Sequence, residues 1–215
     1  MTMDKGGDGA ERRQDPFAEP SQVLRGREAV EIAETAGVPL EGNRLCLSFL
    51  RWEIRISHPD LHIEIPDFLN NFVIKLLALL YLANARAVPL ANQWIPYREL
   101  KDGLFYVRSF SDTVEDRLCR RFGDDLEGMR SACLALGGRE VEQGDMGMVL
   151  NTFPRLPLLF IAWKGDEEFA PSVRILFDAS ATNYLNAFEL RMLCGELVNR
   201  LIGLADGRLQ APPPA

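Results

Sequence analysis

Residues 52–65 read Trp52-Glu53-Ile54-Arg55-Ile56-Ser57-His58-Pro59-Asp60-Leu61-His62-Ile63-Glu64-Ile65. Trp52, Ile54 and Ile56 alternate with Glu53, Arg55 and Ser57, and Leu61, Ile63 and Ile65 alternate with His62 and Glu64. A period of two sends every apolar side chain to one face of an extended backbone. His58-Pro59-Asp60 is a turn, because the proline ring presets φ for the second turn position. The stretch is therefore a β-hairpin with one dry face, and the alternating run Leu45–Leu50 just upstream belongs to the same β region.

Strands return at about 147–152, 157–163 and 172–177. Leu158-Leu159-Phe160-Ile161-Ala162-Trp163 is apolar without a break, which predicts a central strand covered on both faces. Between and around these regions the pattern is helical. A first helix is expected from near Ser21 to Gly37, with Ser21 as its cap. A long one is expected over Asp67–Arg86, apolar around most of its circumference and so buried on most sides. A short turn at 96–101 and helices at 111–122, opened by Ser111 or Asp112, and 124–136 follow. The last helix covers Ala187–Leu204, where Asn186 and Glu189 have capping-box spacing. Strands that cluster, instead of alternating with helices, define an α+β fold. Its sheet is mainly antiparallel, built from the two hairpin regions and packed on the long buried helix and the C-terminal helix.

The chain has 215 residues, 47% hydrophobic and 26% charged, enough apolar material for one core. Residues 1–19 are rich in Gly, Asp, Arg and Pro and read as a flexible tail. Residues 209–215 read as a Pro-rich tail, leaving a single α+β domain at 20–208. Against 24 Lys and Arg stand 31 Asp and Glu, a net charge of −7, which argues against general nucleic-acid binding. No apolar signal segment opens the chain, and the longest apolar run, Phe72–Ala83, is too short for a membrane span and is broken by Lys75. A cytoplasmic location is the expectation. Cys46, Cys119, Cys133 and Cys194 are far apart in sequence and read as reduced thiols, mostly buried.

Dinucleotide, phosphate-loop, nucleophile-elbow and HExxH motifs are all absent. His58 and His62 are four apart, but Pro59 breaks any helix between them; they read as turn and strand polars, with a metal pair as the alternative. The loop Asp166-Glu167-Glu168, with Asp178 ending the next strand, is a candidate carboxylate cluster for a divalent cation, with Asp166 and Glu168 as ligands, or for general acid chemistry. A solvated turn is the alternative. Asp178-Ala179-Ser180-Ala181-Thr182-Asn183-Tyr184 lies between a strand and a helix, where ligand loops and capping loops both occur. Trp94, Tyr97, Phe105, Tyr106 and Phe110 either wall a pocket for a flat ligand or fill core under a long loop. Arg117, Arg120 and Arg121 have acids one turn before them and read as helix-surface pairs.

Three segments together resemble one family: Trp94-x-x-Tyr97-Arg98-Glu99-Leu100 with Gly103 and Tyr106; Trp163-x-Gly165-Asp166-Glu167-Glu168-Phe169-x-x-Ser172; and Leu176-Phe177-Asp178-Ala179-Ser180-Ala181 with Tyr184-Leu185. It is an uncharacterised prokaryotic domain family, mainly of anaerobes, and the similarity spans about residues 25–205. Some members are joined to a cysteine-rich iron–sulfur segment, whose clustered cysteines this chain lacks. The resemblance implies proximity to anaerobic, corrinoid or methyl-transfer metabolism and no established reaction.

The leading expectation is an accessory module that binds a small ligand or cofactor, with Trp94, Tyr97, Tyr106, Asp178, Ser180 and Tyr184 around one pocket. A carboxylate- or divalent-metal-dependent enzyme and a domain that docks on an enzyme subunit are the alternatives.

Overall fold

A computed structural model describes residues 15–210. The parts of the two expected tails at 1–14 and 211–215 lie outside the described residues.

The hairpin region forms a four-stranded antiparallel sheet, in the order β1 (Leu40–Glu41), β2 (Arg44–Phe49), β3 (Trp52–Ser57) and β4 (Ile63–Glu64). Ile56 faces Ile63 and Arg55 faces Glu64, the register that the alternation demands. A buried row of Trp52, Ile54 and Ile56 lines its dry face. The second sheet has five strands: β5 (Trp94–Pro96), β6 (Arg139–Val141), β7 (Met146–Phe153), β8 (Leu156–Trp163) and β9 (Ser172–Asp178), in the order β5-β9-β8-β7-β6, all antiparallel. The unbroken apolar run becomes β8, the middle strand, buried from Leu156 to Ala162. The sheets meet where the Leu50 N–H donates to the Thr152 carbonyl at 2.8 Å and Phe49 packs on Phe153 at 5.2 Å.

The expected first helix is two helices, α1 (Ala18–Arg25) and α2 (Ala29–Ala36). Gly26 ends the first, and the break lets Leu24 and Ile32 both reach the core. α1 begins inside the segment that composition assigns to a tail, and Ser21 lies within it and caps nothing. The long helix α3 (Phe72–Asn84) starts later than Pro66 suggests, because the Asn71 side chain accepts from the Ile74 N–H and makes the cap there. Residues 107–122 form one helical run: α4 (Val107–Phe110), a π turn at Ser111–Glu115 and α5 (Asp116–Phe122). Ser111 and Asp112 are therefore interior and not caps. Helix α6 (Leu126–Ala135) is capped by the Asp125 carboxylate on the Gly128 N–H.

The final helix α7 (Ala187–Ala205) opens with the expected capping box of Asn186 and Glu189. Its Leu190, Leu193, Leu197 and Leu201 are wholly buried, each such side chain contributing roughly 1.5–3 kcal/mol by leaving water. Asn71 bonds Glu196 and Asn84 bonds Glu189, so α3 and α7 run antiparallel through the core. Tertiary packing thus places the start of α7, the end of α3 and the Asp178 end of β9 at one end of the molecule.

Candidate functional site

Strand β5, hidden in sequence by the surrounding prolines, is the element that assembles this end. Trp94 pairs with Asp178 and Ile95 with Phe177, while the Ala179 N–H donates to the Gln93 carbonyl at 2.9 Å. Pro96 is tolerated because β5 is an edge strand. The aromatic segment and the loop after β9 are therefore joined by backbone hydrogen bonds.

Asp178 locks the joint. Its carboxylate accepts from the Ala91 N–H (2.9 Å), the Asn92 N–H (2.7 Å), the Ser180 N–H (2.9 Å) and the Ser180 hydroxyl (2.6 Å). Burial pushes the Asp178 carboxyl up, and the hydrogen bonds from Ser180, Ala91 and Asn92 together overcome it, so the group ends below the ordinary carboxylate value. A carboxylate so held is an anchor and not a proton carrier.

Behind the loop stands a column of rings. Tyr184 stacks on Tyr81 at 5.4 Å, and Tyr81 stacks on Phe153 at 4.8 Å. The Tyr81 hydroxyl donates to the Ala36 carbonyl at 2.9 Å, and the Tyr184 hydroxyl donates to the Val88 carbonyl. The Ala87 N–H donates to the Thr35 carbonyl, which holds Ala87 at φ +58°. Ala87 and Val88 are thereby fixed against the core.

Between this segment and the turn before α7 lies a cleft of about 450 Å³. Asn84, Arg86, Thr182, Tyr184 and Asn186 line it together with Ala83 and Ala85. The volume is within the usual range for small-molecule sites. Its chemistry is a cation, a hydroxyl and side-chain amides, with the Tyr184 hydroxyl already committed to Val88. Buried Glu189 reaches Asn84 at 3.5 Å and the Asn186 N–H at 2.8 Å; burial raises its carboxyl above the ordinary value, and those hydrogen bonds pull it partly back.

The six residues expected around a pocket all lie at this end, in two kinds of place. Tyr97 is buried, stacked on Phe110 at 4.0 Å, and its hydroxyl donates to the Ala187 carbonyl at 2.7 Å. Burial raises its phenol well above the ordinary value. Tyr97, Asp178 and Ser180 are buried and bonded to the protein itself, and Tyr184 adds a wall of the cleft to the same framework. Trp94 and Tyr106 are partly exposed, with Tyr106 against Phe188 at 5.8 Å.

The expected carboxylate cluster is not assembled. Ser172 pairs with Trp163 beside the Asp166–Glu168 loop, whereas Asp178 ends the same strand at the other side of the sheet. At about 3.3 Å per residue the separation is about 20 Å. Asp166 Oδ1 accepts from the Glu168 and Phe169 N–H groups of its own loop, which lowers its pKa. Among the described residues no group of three or more His, Cys, Asp or Glu is placed to hold a metal ion. The His58 ring lies 3.1 Å from the Leu24 carbonyl. Cys46, Cys133 and Cys194 are buried, and burial pushes Cys133 up to about 12.

Arg86 and Asn84 were not among the expected site residues. Asn84 ends α3 and Arg86 lies two residues beyond it, and no spacing rule points to either. Thr182 and Asn186 lay inside or beside the loop the sequence singled out.

These features define an α+β domain of two antiparallel sheets with a polar cleft at one end. The chain belongs to the family described as Domain of unknown function (DUF3786), whose model matches residues 28–200. No curated protein and no solved structure matches it. Among the described residues no helix is long and apolar enough to cross a membrane.

Proposed function

We propose that the chain is an accessory binding module whose ligand is a small polar molecule carrying an anionic group. The observation that carries this reading is the cleft of about 450 Å³ with exposed Arg86 on one side and, on the other, the Thr182–Asn186 wall, held by the Asp178–Ser180 bonds and the Tyr81–Tyr184 stack. A rigid wall lowers the ordering cost of binding. Arg86 supplies the charge and Thr182 and Asn186 the directional hydrogen bonds. The setting in anaerobic metabolism and the cytoplasm rests on the sequence resemblance and the segment pattern, and it determines how the protein is best prepared.

The test is native mass spectrometry and absorbance on protein purified without oxygen, followed by calorimetry with succinate and inorganic phosphate as probe anions. The expected result is a bound small molecule, or saturable probe binding, that Arg86→Glu abolishes without loss of fold. Ligand-free protein that binds neither probe, or binding untouched by Arg86→Glu, contradicts the proposal.

A further inference from the structure

The cleft between the end of α3 and the start of α7 has a negative side as well as a positive one. Helix α3 ends on it, since Ala83, Asn84 and Ala85 are among its lining residues. Ala85 leaves the helix extended, with φ −55° and ψ 129°, so no left-handed cap folds the chain back onto the last carbonyls. Among the described residues no donor reaches the Ala83, Asn84 or Ala85 carbonyl. The last turn of α3 holds no basic residue. Arg86, just beyond it, is exposed and in no ion pair among the described residues. Open carbonyls at a helix end carry a partial negative charge of about half an electron.

Glu189 adds a full charge beside them. The residue is only 7% exposed. Its Oε2 accepts from the Asn186 N–H at 2.8 Å and from the Asn84 amide at 3.5 Å, so the carboxyl is joined to two residues that line the cleft. Among the described residues Oε1 accepts no hydrogen bond and no cation pairs with the carboxyl. The charged side chain that faces it from α1 is Glu19, another acid. A buried carboxylate with no counter-cation is costly, and a cation held in front of Asn84 and Asn186 lowers that cost.

We infer that the ligand of this cleft is a zwitterion of the amino-acid class, its carboxylate on Arg86 and its ammonium against the open carbonyls at the end of α3, in the field of Glu189. The inference rests on the anion-binding reading above and adds a second charge to it. An ammonium brings three donors, and the carbonyls of Ala83, Asn84 and Ala85 are acceptors with no donor among the described residues. A ligand with anionic groups alone leaves those carbonyls unfilled and sits in the repulsive field of Glu189. A ligand that is only a cation is opposed by Arg86.

Calorimetry on the full chain with two matched pairs of probes tests this: β-alanine against propionate, and γ-aminobutyrate against butyrate. The members of each pair differ only in the amine. At least one amino acid is expected to bind roughly tenfold tighter than its partner, the scale of one charge-assisted hydrogen bond. Arg86→Glu is expected to abolish binding of both members. Glu189→Gln keeps an acceptor for the Asn186 N–H and is expected to narrow the preference, with circular dichroism showing an unchanged fold. Carboxylates that bind as tightly as their amino acids overturn the zwitterion and leave the anion site standing. Binding of succinate or phosphate with neither amino acid bound does the same. Protein that binds none of these probes overturns the anion site and the zwitterion together. A preference that Glu189→Gln leaves untouched overturns the part given to Glu189.

Discussion

Removing the Asp178 carboxylate is expected to loosen the whole end of the molecule that carries the cleft. Four donors converge on it, and two of them, the Ser180 N–H and hydroxyl, belong to a residue that is only 4% exposed. Those two lose their acceptor in Asp178→Ala with little access to water, at roughly 1–3 kcal/mol per unsatisfied group. Ala91 and Asn92 are exposed and recover bonds to solvent, so they add little. A total of about 2–6 kcal/mol follows for Asp178→Ala. Asp178→Asn falls between, because one amide oxygen replaces Oδ1 for Ala91 and Ser180 while the amide nitrogen faces the Asn92 N–H, donor against donor. Urea unfolding at pH 7 measures both values. The pH dependence supplies an independent check. The folded pKa of Asp178 is lowered, so its stabilisation is fully present above the unfolded value near 3.9 and is lost as pH falls through the lower folded value. The difference between wild type and Asp178→Ala should therefore shrink in strong acid. A loss under about 0.5 kcal/mol at pH 7, the range of an ordinary surface change, would refute the anchoring role.

Three further outcomes are expected. Gly103→Ala forces a Cβ against the Tyr97 carbonyl and should cost about 1–3 kcal/mol, as overpacking does; an unchanged denaturation midpoint would show that the turn is not tight. Tyr97→Phe leaves the ring stack with Phe110 intact and removes the bond to Ala187; a loss of about 1 kcal/mol is expected by thermal unfolding, and no loss would remove the hydroxyl from the account. Glu189→Ala should cost about 0.5–2 kcal/mol through the lost cap, whereas Glu189→Gln keeps an acceptor for the Asn186 N–H. Because burial raises the Glu189 pKa, its ionisation opposes folding as pH rises through the shifted value. The Gln variant should therefore match or exceed wild type at pH 7, and equal losses in both variants would contradict this.

The hairpin at 52–65, the buried strand β8 and the α7 capping box were legible because each is a local rule: a period of two, an unbroken apolar run, a spacing of three. Strand β5 was not, since three residues ending in Pro96 carry no period and gain their structure only by pairing with β9. The first-helix boundary failed at Gly26, where a break that serves the core outweighs continuous helical propensity. The loop 178–184 was recognised from composition as a site or a cap, and the Asp178 bonds make it a structural anchor. The acidic cluster failed on register, because antiparallel pairing carries the two ends of β9 apart. Arg86 was invisible in sequence, since its place in the cleft depends on the Ala87–Thr35 and Tyr184–Val88 bonds, which join residues far apart in the chain.

The cleft itself is tested most directly by filling it. Thr182→Trp places an indole among Asn84, Arg86 and Asn186 while leaving the Asp178 anchor untouched. Native mass spectrometry on wild type and variant, prepared side by side without oxygen and offered succinate, is the measurement. The account predicts a bound adduct on the wild type and none on the folded variant. An adduct retained at equal occupancy on Thr182→Trp would place the binding site elsewhere on the molecule.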